Sequence, residues 1–105
     1  MVKYDKVVIK KSTKPGKKLM AVFFTDGKKD TSKPSSKTIH FGAAGMDDYT
    51  ITKDKQQKKR YISRHQNREN WNVPDTAGSL ARWVLWNKET RGASIIDYKR
   101  RFNLK

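Results

Sequence analysis

The stretch "YDKVVIKKSTKPGKKLMAVFFTDG", Tyr4 to Gly27, decides the fold of this chain. Its first part, "YDKVVIKKS", is rich in β-branched residues between polar flanks, the composition of a strand. Pro15–Gly16 within "TKPGKK" is a turn signal. "KLMAVFFTDG" then reads as a second strand ending at an Asp26–Gly27 turn. The pair predicts an antiparallel hairpin, and a hairpin alone is marginal in water, so it must dock on further structure.

That structure follows in two kinds of pattern. "KTIHF" is a short third strand expected to pair with the hairpin, because sequential strands usually neighbour one another. The run "KKDTSKPSSK" before it is polar, lysine-rich and expected to be mobile. Beyond Gly42 the period changes from two to helical. "GAAGMDDYT" reads as a loop. "TKDKQQKKRYISRHQNRE" is rich in helix formers, with Thr52 or Asp54 as candidate N-caps. "NWNVP" breaks it, since Pro74 disfavours helical backbone at Val73.

In "DTAGSLARWVLW", Ala77, Leu80, Ala81, Val84 and Leu85 follow helical spacing, with Asp75 or Thr76 as cap. Trp83 lies at the edge of that stripe and Trp86 further round, so one of them is expected to meet another element or a partner protein. "SIIDYKRRF" predicts a last helix with Ile95, Tyr98 and Phe102 on one face, separated by Gly92 from the helix before it. The predicted class is α+β: a small antiparallel sheet, hairpin plus third strand, followed by about three helices. The expected organisation is a lysine-rich hairpin and loop over residues 1–36 and a mainly helical basic part over 37–105, forming one compact domain.

Composition narrows the function classes. With 105 residues the chain has the length of one domain. It contains no cysteine and two histidines, so disulfides and cysteine-based zinc sites are excluded and no metal or cofactor is expected. No apolar run reaches membrane-spanning length, and "MVKYDKVVIKK" lacks the apolar core of a signal peptide, which predicts an intracellular protein.

Charge is the dominant feature. There are 25 Lys and Arg against 10 Asp and Glu, a net charge of +15. Such a field attracts polyanions, and contacts with several phosphates release counterions. Residues 1–40 hold eleven Lys, three Asp and no Arg, whereas the rest of the chain carries every arginine. Arginine suits ordered, forked contacts and lysine behaves as a solvated point charge. Arg60, Arg64 and Arg68 recur every four residues and predict a guanidinium stripe along one helix, extended by Lys58 and Lys59. Lys99, Arg100 and Arg101 form a second cluster beside Phe102.

"RYISRHQNRENW", Arg60 to Trp71, also raises the chemistry of small metal-dependent nucleases, which hold a metal with His, Asn and acidic groups after a hairpin. His40, Asp47, Asp48 and His65 would be the candidates. The spacing argues otherwise. His65 and Glu69 share a helix face at i, i+4, but Asn67 points about 200° away at 100° per residue. No metal-binding, phosphate-loop or nucleophile-elbow motif occurs. The expected alternative is scaffold: Arg64 and Arg68 pair with Glu69, Asp47 or Asp48, His65 packs beside Tyr61, and the Gly-rich loop aims Asp47 or Asp48 at the arginines.

Taken in order, "KTIHFGAAGMDDYT", "RYISRHQNRENW", "TAGSLARWVLWN" and "SIIDYKRRFNL" resemble a family of short basic proteins of nucleocytoplasmic large DNA viruses, chloroviruses and giant viruses among them. The resemblance spans about Lys37 to Leu104 and leaves out the first 36 residues. It implies a virion setting and carries no catalytic assignment. The resulting expectation is a non-enzymatic structural protein, a minor capsid or core component, whose basic surface faces DNA or another polyanion. A soluble, sequence-independent DNA binder is the alternative, and a metal-dependent nuclease a third. The partners expected are capsid or core proteins and phosphate backbones, with no small-molecule substrate.

Overall fold

A computed structural model of the protein describes residues 4–24 and 36–105. The hairpin forms as the sequence dictates. Strand β1 (Lys6–Lys11) pairs antiparallel with β2 (Lys17–Phe24), from Lys6 opposite Phe24 to Lys11 opposite Leu19. Between them the Lys17 amide donates to the Lys14 carbonyl at 3.2 Å, and Gly16 takes φ +85°. Proline at the first corner and a positive-φ glycine at the second make this a type II turn. β3 (Ser36–Ala43) adds antiparallel to β2, giving the order β1-β2-β3. The expected Asp26–Gly27 turn and most of the polar run after it lie outside the described residues.

Strand alternation gives the sheet one apolar face. Val7, Leu19, Ala21, Phe23 and Phe41 are buried, with Ile9 and Ile39 packed beside them. The helices cover this face with Leu80, Val84, Leu85, Tyr98 and Leu104, so hairpin and helical part share one core. A short helix α1 (Tyr49–Thr52) precedes α2 (Lys55–His65). Asp48 caps α1, Lys53 ends it in the left-handed conformation, and Asp54 caps α2 by accepting from the Gln56 and Gln57 amides.

α3 (Ala77–Leu80) is capped by Thr76 and widens directly into a π-helical turn, Ala81–Leu85, in which the Trp86 amide reaches back to the Ala81 carbonyl. α4 (Arg91–Arg101) is capped by Thr90. It closes with Asn103 at φ +56° and the Leu104 amide donating to the Lys99 carbonyl, a Schellman arrangement that folds Leu104 into the core. The Lys105 amide then bonds to the Asp5 carbonyl, bringing the end of α4 beside the start of β1.

The α+β class and its order of elements are as expected, with four differences in detail. Asp48 nucleates a helical turn where a loop was expected, because its carboxylate can satisfy the Thr50 amide. α2 ends at His65, short of Glu69, so Arg68 lies in the turn beyond it. The helix at Ala77 is not uniform. Gly92 sits inside α4 and separates nothing, since the Thr90 side chain starts the helix before it by accepting from the Ala93 amide.

Candidate polyanion interface

α2 is fixed from its inner side. Tyr61 is buried there, its ring parallel to Trp86 at 4.6 Å between centroids and stacked on His65 at 4.4 Å. With Tyr61 turned inward, α2 leaves Lys59, Arg60 and Arg64 exposed, with Arg60 and Arg64 about 40° apart round the helix and Lys59 about 100° from Arg60. Arg68 follows in the turn and is also exposed. The stripe is therefore helical through Arg60 and Arg64 and continued by a turn.

Of the carboxylates expected to neutralise it, Asp48 and Glu69 are committed elsewhere. Asp48, almost fully buried, takes the Lys18 ammonium together with the Thr50 amide and hydroxyl. The expected pairing of Asp48 with the arginines is thus replaced by a pair with the sheet. Glu69 accepts from the Trp71 indole at 2.9 Å and stands 3.9 Å from His65. Asp75 holds Lys37 at 3.0 Å. Asp47 is exposed and joins no ion pair among the described residues. Arg60, Arg64, Arg68 and Lys59 consequently have no acidic partner among the described residues.

Lys58 departs from the stripe. Its ammonium turns inward to the Asn87 carbonyl at 2.7 Å and lies 4.8 Å from the Tyr49 ring centre. Burial lowers its pKa below the ordinary lysine value, and Arg82, Lys88 and Lys55 lower it further. The sequence pointed to neither Arg82, Lys55 nor Lys88. Arg82 stands 5.4 Å from the Trp71 ring and 4.3 Å from Trp83, and Arg101 covers Trp83 at 3.7 Å. A Trp71–Arg82–Trp83–Arg101 ladder results, held by the Trp83 indole donating to the Trp71 carbonyl and by Arg82 donating to the Trp86 carbonyl. The "ARW" at Ala81–Trp83 was the available signal for it. What brings Trp71 alongside is the loop before α3, which spacing does not reveal.

The second cluster is mixed. Arg100 is exposed and without an ion pair among the described residues, and Lys99 is half-buried. Arg101 is tied both to Trp83 and to Asp97 at 3.3 Å. Asp97 also accepts from the Asn87 amide at 2.7 Å. That hydrogen bond, with help from Arg101, holds the Asp97 carboxyl below the usual range against the opposing effect of its burial. Trp83 and Trp86, expected to reach another element or a partner, meet α4 and the Trp71 loop in the first case and α2 in the second. All eleven aromatic rings lie in the described residues, and none of them is exposed.

The nuclease candidates are dispersed. His40 accepts from or donates to Ser12 at 2.7 Å on the sheet, Asp48 caps α1, and His65 stacks on Tyr61. Among the described residues no three His, Asp or Glu side chains come together as a metal would need. Nor is any helix among them long and apolar enough to cross a membrane.

A family model matches residues 7–65, more than half of the chain, from β1 to the last residue of α2. The protein belongs to a family of unknown function, DUF5754. The DUF5754 match takes in the lysine-rich hairpin as well as the stripe helix. No curated protein and no solved structure matches the chain.

Proposed function

We propose that this DUF5754 protein is a non-enzymatic, sequence-independent binder of nucleic-acid phosphates, acting as a structural component of a large DNA virus virion. The observation that carries the first part is the set Arg60, Arg64 and Arg68 with Lys59 beside it, exposed and without acidic partners among the described residues in a chain of net charge +15. Cations left unpaired along one face gain most from a polyanion, because each phosphate contact releases a condensed counterion. Guanidiniums also fork onto phosphate oxygens, giving ordered contacts with no demand on base sequence. The virion setting rests on the resemblance of residues 37–104 to short basic proteins of large DNA viruses.

Within a virion, the disposition of rings favours the genome side over the shell. A protein cementing capsomers would offer aromatic rings to its neighbours, as interface cores do. Here Trp83 and Trp86 are engaged inside the chain, and the exposed large apolar residues, Val8, Met46, Ile51, Val73 and Ile96, are all aliphatic. The same observation supports a soluble DNA-condensing protein as the second reading.

Replacing Arg60, Arg64 and Arg68 together with Glu tests the assignment. Duplex DNA binding at physiological salt should fall by about a hundredfold or more, following the loss of three phosphate contacts, while the thermal midpoint stays close to wild type because all three side chains are exposed. Unchanged affinity would place the contact surface elsewhere.

A further inference from the structure

At the start of α2, Lys55, Lys58 and Lys59 meet Tyr49 around a hollow of about 360 Å³ that Gln56 and Ile62 complete. Its charge is unusual for a structure at rest. Lys55 and Lys59 are like charges one helical turn apart, which weakens a helix. Lys58 is pinned between the Tyr49 ring and the Asn87 carbonyl, and the charges acting on it from Arg82, Lys88 and Lys55 are all positive. The carboxylates at hand are turned away: Asp54 to the Gln56 and Gln57 amides, Asp97 to Asn87 and Arg101. Cations gathered with their acids withdrawn strain the bare fold and suit a bound anion.

The rest of the lining says which anion. A bare inorganic ion would need only the cations, but this hollow is of a size that holds a small organic molecule. Ile62 and Tyr49 give it an apolar wall, and the Gln56 amide both donates and accepts hydrogen bonds. We propose that the hollow seats one unpaired nucleotide of a bound strand, its phosphate on Lys55, Lys58 and Lys59 and its base against Ile62 with Gln56 at the base edge. A base inside a duplex is stacked and cannot enter, so the site selects single-stranded segments or ends. This inference rests on the phosphate-binding reading above and gives it a defined ligand.

The test is an amide-resonance titration of the intact protein with thymidine 5′-monophosphate, inorganic phosphate and thymidine, beside duplex DNA binding on the same sample. The nucleotide should move the amides of residues 55–62 and the Gln56 side chain, and bind at least about tenfold tighter than phosphate, from burial of the base against Ile62 and a hydrogen bond to Gln56. The exposed double variant Lys55→Gln/Gln56→Ala should weaken that response about tenfold. Absence of the localised shifts, or equal affinity for phosphate and nucleotide, overturns the inference. Duplex binding that persists in that case leaves the phosphate-binding reading standing; loss of both removes both.

Discussion

Asp48 shows how much one side chain can carry. It is the buried partner of Lys18, linking β2 to the segment before α1, and it also caps α1. Asp48→Ala removes the cap and leaves Lys18, itself mostly buried, without its carboxylate. We expect a loss of about 3 kcal/mol in urea unfolding, the scale of a broken buried pair, whereas Asp47→Ala at an exposed neighbour should fall within about 0.5 kcal/mol of wild type. The sequence marked both aspartates but not which turned inward, since Lys18 is 30 positions away and the choice is tertiary.

Asp97 predicts a pH dependence of stability. Its folded pKa lies below the unfolded value, so the unfolded chain binds the proton first. The stabilisation from Asn87 and Arg101 is therefore complete above the ordinary carboxylate pKa, about 4, and is lost as pH falls through the lower folded value. Asp97→Asn should melt below wild type at pH 6, and the gap should close towards pH 3.

At the scale of elements, local signals located the secondary structure and tertiary contacts set its limits. Strand alternation and the Pro15–Gly16 turn placed the hairpin, and the Leu80–Val84–Leu85 stripe named the helical side of the core. The early end of α2 and the π-helical turn were not legible. Both lie where Tyr61, Trp71, Trp83 and Trp86 settle against one another, a packing problem that periodicity cannot pose. Gly92 was read as a break on propensity alone, and Thr90 capping overrode it. Nothing lies within 4 Å of a Cβ built on Gly92, and its backbone needs no positive φ. Gly92→Ala should therefore stabilise α4 by about 0.5–1 kcal/mol, seen as a raised thermal midpoint with unchanged near-ultraviolet dichroism.

For the whole molecule, charge was the most legible property and its placement the least. The composition led us to expect a polyanion partner, and spacing picked out Arg60, Arg64 and Arg68, which the fold leaves exposed. Lys58 was assigned to the same surface, yet the fold turns it inward to Asn87, and Arg82 emerged only when a loop brought Trp71 beside it. These differences separate two populations of cation. One is exposed and unpaired on α2 and at the end of α4. The other, Lys58, Arg82 and Arg101, is packed on rings and carbonyls, where it braces the fold.

We propose that the first population binds phosphates without reading sequence. The measurement that tests it most directly is the affinity for labelled duplex DNA across a salt series, on two unrelated sequences and with magnesium present in a parallel set. Four phosphate contacts, from Lys59, Arg60, Arg64 and Arg68, predict that log affinity falls against log salt with a slope of about −3.6, equally for both sequences, and that the DNA stays intact. A slope near zero, a strong preference for one sequence, or cleaved DNA would contradict it.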